Sequence, residues 1–122
     1  MQFDHEKLAV YQAAVDWVAT ADLISERLPR GRGYLSDQLR RAATSVVLNI
    51  AEGAGEYARD EKARFYRIAR RSATECAAIL DVCRRLELVD AQLCARGRDQ
   101  LLSVVSMLVR LIRVVVEGRS GD

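Results

Sequence analysis

The chain has 122 residues, half of them apolar and 30% charged, with a formal net charge of +2. That length fits one domain with a core of its own, and the apolar share excludes a disordered chain. So small a net charge makes no case by itself for a polyanion partner.

Aromatics are scarce, and Ala, Leu, Val and Ile carry the apolar mass around a single proline, Pro29. Such a composition is rich in helix formers and poor in breakers. The first predicted helix runs from about Glu6 to Leu28. Val10, Ala14, Trp17, Ala21, Ile24 and Leu28 recur at spacings of four and three, a heptad seam. Leu8, Tyr11, Val15 and Val18 form a second seam beside it. Pro29, Gly31 and Gly33 end the helix.

The second helix is expected over 36–54, with Ser36 as its N-cap. Leu39, Ala43, Val46 and Ile50 make its apolar seam. Gln38, Arg41, Ser45, Asn49, Glu52 and Glu56 make a polar stripe at the same spacing. Gly53 and Gly55 suit a C-terminal stop.

The third helix is expected over 59–86. Phe65, Ala69, Ser72, Cys76, Ile79, Cys83 and Leu86 form a seam of mostly small side chains, which lets neighbouring helices approach closely. Arg64, Arg67 and Arg71 share another face, flanked by Lys62 and Arg70. The fourth helix is expected over 90–117, capped by Asp90, with room for a kink at Gly97. It has two aliphatic seams, one of Leu101, Val104, Leu108, Leu111 and Val115, the other of Leu102, Val105, Val109, Ile112 and Val116.

Three short connections favour antiparallel neighbours, so the expected fold is all-α: one antiparallel up-down-up-down four-helix bundle spanning 1–122. A helix in a small bundle needs one apolar stripe. Helices one and four each carry two, and self-association would bury the surplus. A broad single core face in a monomer is the other way to use it.

The three cysteines, Cys76, Cys83 and Cys94, form no CxxC pair. Cys76 and Cys83 are about 10 Å apart along one helix, too far for a disulfide. They read as core thiols of a reducing cytosol. No signal peptide pattern opens the chain. The most apolar stretch, Leu101–Val116, is short and contains Arg110 and Arg113, so no membrane span is expected. These features place the protein in the cytoplasm.

The charge is uneven. Residues 27–71 hold eleven basic side chains against five acidic ones, a local excess of +6 on a chain of +2. Arg40, Arg41, Lys62, Arg64, Arg67, Arg70 and Arg71 are the candidates for an anion-binding surface, since guanidinium groups are planar, permanently charged and able to bind two phosphate oxygens. Intramolecular pairing with Glu52, Glu56, Asp60, Glu61 and Glu75 is the competing use of the same charges. Asn49 and Glu52, three apart on one helix face, are expected to form a structural polar core that fixes bundle register, with Glu52 paired to Arg41 or an arginine of helix three.

No catalytic constellation is visible. His5 is the only histidine, there is no Glu-x-x-His motif for a di-metal bundle site, and the glycines fit no phosphate loop. No cofactor or metal is expected. Tyr34, Tyr57 and Tyr66 offer rings on which bases could stack, although packing at helix ends suits them better.

The run Gln38-Leu39-Arg40-Arg41-Ala42-Ala43-Thr44-Ser45-Val46-Val47-Leu48-Asn49-Ile50-Ala51-Glu52-Gly53 resembles a family signature. The family comprises bacterial four-helix-bundle proteins first noticed as products of intervening sequences in large-subunit ribosomal RNA genes. The accessory variability determinant of diversity-generating retroelements belongs to the same group. Phe3, the Leu8, Val10 and Gln12 pattern, Phe65, and the run Ile68-Ala69-Arg70-Arg71-Ser72 with Glu75 extend the match to about residue 80. Members often carry Tyr-Gly-Leu before helix two, where this chain has Gly33-Tyr34-Leu35. Their usual signature proline is replaced by Val47 or Leu48.

The resemblance implies a bundle that assembles into a homopentameric ring, and nucleic-acid association, with a reverse transcriptase as the protein partner of the retroelement member. The function expected is therefore a non-enzymatic homo-oligomeric binding module that contacts backbone phosphate or a nucleic-acid enzyme. The alternative is a structural or adaptor oligomer that binds a protein partner.

Overall fold

The computed structural model describes residues 1–118. It consists of four helices and no strand among those residues: α1 Ala9–Arg27, α2 Gly33–Ala54, α3 Arg59–Arg85 and α4 Ala91–Glu117, preceded by a short 3-10 turn, Asp4–Lys7. Each helix packs on its two neighbours in the cycle α1–α2–α3–α4–α1, and the diagonal α1–α3 pair meets through the Trp17 and Cys76 side chains in the core. With short links at 28–32, 55–58 and 86–90, this is an antiparallel four-helix bundle. No helix among the described residues is long and apolar enough to cross a membrane.

Local chemistry explains the ends, and it corrects three expectations. Helix one does not begin at Glu6. Leu8 is extended and separates the 3-10 turn from α1, whose N-terminus has no side-chain cap. At its other end Leu28 is extended because it precedes Pro29, whose ring disfavours helical geometry in the residue before it. Gly31 then turns the chain at φ +94°, a conformation suited to glycine.

Helix two begins at Gly33, one turn before the expected cap. Ser36 lies inside it, buried, with its Oγ bound by Arg40 Nη1 at 2.8 Å. Gly53 does not stop the helix either. It is buried within α2, and a Cβ there would lie 2.6 Å from Cε1 of Tyr66. Its missing side chain admits the tyrosine ring.

Helix three starts with Asp60 and Glu61 and ends with Arg84 and Arg85, each charge sign placed where the helix dipole favours it. Its C-terminus closes through Leu88 N–H to Cys83 C=O at 2.9 Å, the six-to-one bond of a Schellman motif. Glu87 occupies the left-handed position at φ 55°, where glycine is usual. Helix four is capped by Asp90, whose Oδ2 accepts from Leu93 N at 3.1 Å, and ends at left-handed Gly118.

The core is one cluster drawn from all four helices. Trp17, Ile24, Leu39, Ile50, Leu101 and Leu108 are its largest fully buried side chains. Small residues of α3, Ala69, Ala73 and Cys76, face them. The seams of α1, α2 and α4 fall inside, with Leu28, Leu111 and Val115 half-buried at the margin. In α3 the expected seam is buried at Ala69, Cys76, Ile79 and Cys83, while Phe65 and Ser72 are half-buried and Leu86 is exposed; Tyr66, Ala73 and Leu80 widen the core stripe. Ile112 belongs to the core and not to the outer seam of α4.

Gly97 does not break α4, which runs through it. A Cβ there would stand 2.9 Å from Cζ3 of Trp17 and 3.1 Å from Cδ1 of Leu80. The glycine is a notch for the indole. Gly97→Ala is expected to lower stability by about 1–3 kcal/mol through overpacking. Gly33→Ala has open space around its Cβ and should gain no more than about 1 kcal/mol. Urea denaturation of the two variants checks this contrast; equal effects would contradict the notch.

Candidate nucleic-acid interface

The seven basic candidates do not act as one group. Arg40 turns toward α1, where its Nε binds Asp22 Oδ1 at 3.0 Å while its Nη1 holds Ser36. It links α1 to α2, and its partner is not among the acids expected from sequence. Lys62 reaches the end of α2, donating to the carbonyls of Gly53 at 2.7 Å and Ala54 at 3.1 Å. The last carbonyls of a helix lack intrahelical partners, so Lys62 is a cap. Burial lowers its pKa. Lys62 therefore leaves the anion-binding set, while the exposed Asp22 pair leaves the Arg40 guanidinium open to solvent.

Arg64 pairs with Glu61 through two bonds, 2.8 and 3.2 Å, and lies over the Phe65 ring at 4.6 Å. Its hydrogen bond holds the Glu61 carboxyl below the usual range. The pair is exposed, so it leaves the guanidinium available to solvent.

The remaining four arginines are different. Arg41, Arg67 and Arg71 are exposed and Arg70 is half-buried. None of the four has an ion pair or a side-chain hydrogen bond among the described residues. Arg64, Arg67 and Arg71 share one helix face by their spacing of three and four. Arg40 and Arg41 line a shallow groove of about 470 Å³ on α2 with Thr44, Ser45, Leu48 and Asn49. The candidate surface is thus the outer ridge of α2 and α3.

The expected polar core also needs correction. Glu52 is exposed, with no ion pair among the described residues. Asn49 is half-buried, but its Nδ2 donates within its own helix, to the Ser45 carbonyl at 2.9 Å and the Ser45 Oγ at 3.1 Å. The polar contact that crosses between helices is Ser45 Oγ to Ser72 Oγ at 2.8 Å. Its signal was present in the sequence as a serine in the α3 seam opposite a serine in the α2 polar stripe.

Tyr66 is buried, whereas Tyr34 and Tyr57 are exposed at the helix ends. His5 stacks on Phe3 and packs against Tyr11. No group of three His, Cys, Asp or Glu side chains able to hold a metal occurs among the described residues. All three cysteines are free and buried.

Burial pushes the Cys76 thiol from 9.0 up to about 12 and the Tyr66 hydroxyl from 10.0 up to about 12. Both stay neutral in the folded protein at pH values where the unfolded chain ionises them. The stability they contribute is full below pH 9.0 and is lost as pH rises toward about 12. Urea midpoints measured at intervals from pH 8 upward should fall through this window; a flat alkaline profile would contradict it.

The model of the family described as 23S rRNA-intervening sequence protein matches residues 6–110. Among solved structures, the chain is similar to a protein with unknown function from the S23 ribosomal protein family of Bacteroides thetaiotaomicron. The two share 19% identity over 85% of this chain and 98% of the other, with a TM-score of 0.79. At that identity the likeness shows a shared fold. No curated protein matches the chain.

Proposed function

The chain belongs to the 23S rRNA-intervening sequence protein family, and from that premise we propose that it is a non-enzymatic, cytosolic, homo-oligomeric binding module for nucleic-acid backbone phosphate or a nucleic-acid enzyme such as a reverse transcriptase. The assembly expected from the family resemblance is a homopentameric ring. One observation carries the nucleic-acid part: Arg41, Arg67, Arg70 and Arg71 extend from α2 and α3 with no acidic partner among the described residues. Unpaired guanidinium groups along a ridge suit a phosphate backbone. No element for reading base edges accompanies them, so binding would be salt-dependent and weakly selective.

A second reading keeps the oligomer and gives it a protein partner only, as a structural or adaptor assembly. It is favoured by Leu48 and Leu102, both more than half exposed. A single-stranded RNA gel shift over a salt series separates the two. Binding should weaken linearly on a log–log scale. Arg41→Ala with Arg67→Ala and Arg71→Ala should flatten that slope by about 0.7 per lost phosphate contact. Absence of binding at low salt would leave the adaptor reading.

A further inference from the structure

Resting on the phosphate reading above, we infer that the arginine surface continues over α3 onto α4: Arg113 joins Arg67 and Arg70 on the α3–α4 flank, and the three hold the phosphate backbone of a nucleic-acid strand. Arg113 lies outside the basic middle of the sequence, and only the pairing of the two helices brings it there.

Two contacts fix the register of that pairing. A Cβ at Gly97 of α4 would stand 3.1 Å from Cδ1 of Leu80, and one at Gly118 would stand 3.0 Å from Nη2 of Arg59. The helices are antiparallel, so Arg113 falls level with Arg64, and Arg67 and Arg70 with residues 110 and 107. Arg113 and Arg70 are then about 9 Å apart along the bundle at 1.5 Å per residue.

The cavity between the helices tells which side each residue occupies. It is lined by Asp81 and Arg84 of α3 and by Ala91 and Ala95 of α4. Five full turns of 3.6 residues beyond Ala91 and Ala95 stand Val109 and Arg113, on the same side of α4. Two heptads before Asp81 and Arg84 stand Arg67 and Arg70, a drift of only about 40°. All three arginines therefore border one flank.

Arg67 and Arg113 are exposed and Arg70 is half-buried. None of them has an ion pair or a side-chain hydrogen bond among the described residues. Asp60 and Glu117 lie beyond them at one end of the flank, Asp81 and Asp99 at the other. Glu61 and Glu75 lie on the side of α3 toward α2, where Ser72 meets Ser45. The stretch from Arg113 to Arg70 is thus basic without an acid between. Val105 and Val109 are half-buried within it, and the exposed Leu102 and Val116 stand beyond it at either end. An acidic protein helix would need apolar anchors among the charges, whereas phosphate needs only the guanidinium forks.

The test is a gel shift of single-stranded RNA by the full chain over a salt series. The variants are Arg113→Ala, Arg67→Ala, the two combined, and Arg96→Ala. Arg96 is exposed and lies five turns before Val114, which borders α1, so its loss removes the same charge from another side of α4. Far-UV circular dichroism checks that the helices remain. Arg113→Ala and Arg67→Ala should each flatten the log–log slope by about 0.7 and the pair by about 1.4, with Arg96→Ala unchanged. A wild-type slope in Arg113→Ala, or an equal loss in Arg96→Ala, would overturn the inference. So would polyglutamate that displaces the RNA at equal charge concentration, the mark of a surface for acidic protein. A wild type that shifts no RNA at low salt would instead remove the phosphate reading beneath it.

Discussion

The bundle depends on helices coming close enough together to enclose one indole ring. Trp17 is the largest side chain in the core and is fully buried. It fits because Gly97 in α4 has no side chain where the ring lies. Tyr66 fits into α2 at Gly53 in the same way. In both cases a large ring on one helix is matched by a missing Cβ on a neighbour. Dispersion contacts are individually weak and fall off within an ångström of separation, so these notches let the surrounding Ala-rich faces make contact. The serine pair, Ser45 and Ser72, sits at the α2–α3 contact where small residues meet, and its hydrogen bond is available only at that close distance.

Close packing has a consequence for the outside. One stripe from each helix fills the core, with α3 contributing mostly Ala and Cys. Large aliphatic side chains in a second stripe of α1, α2 or α4 then have no room inside. Val15, Leu48, Leu102 and Val116 remain substantially exposed. Soluble monomers rarely present much contiguous apolar surface. The same geometry that makes the core compact thus produces the surplus that argues for association.

The fold was legible because helical periodicity survives any error at the helix ends. Leu39, Ala43, Val46 and Ile50 repeat at the helical spacing, and all four are buried. Glycines were read less well. Gly53 and Gly97 look like helix breakers in one dimension, and only the ring packed against each reveals its role. Ser36 resembles a cap because serine favours that position, yet Leu35 beside it is buried and draws the preceding turn into the helix. The basic residues were legible as a set but not as individuals. Whether Arg40 finds Asp22, or Lys62 finds the end of α2, depends on tertiary neighbours far away in sequence. The α3 seam was legible at Ala69, Cys76, Ile79 and Cys83 but not at its edge, where Tyr66 and not Phe65 is buried.

The two sorts of outer surface constrain one another. Exposed apolar surface and arginines adjoin on α2, where Leu48 shares a groove with Arg40, Arg41 and Thr44. The outer ridge of α2 and α3 carries Arg41, Arg64, Arg67 and Arg71 and little apolar surface apart from Leu48 at its edge. Assembly of copies would repeat the arginine ridge once per subunit. A single ridge of this kind would make a modest phosphate site on a chain of +2. Repetition around the proposed ring would change the arithmetic, because each further contact would become intramolecular once the first had formed. The low net charge of one chain therefore does not decide against a polyanion partner. What matters is how many ridges one strand can reach, and that is a property of the assembly.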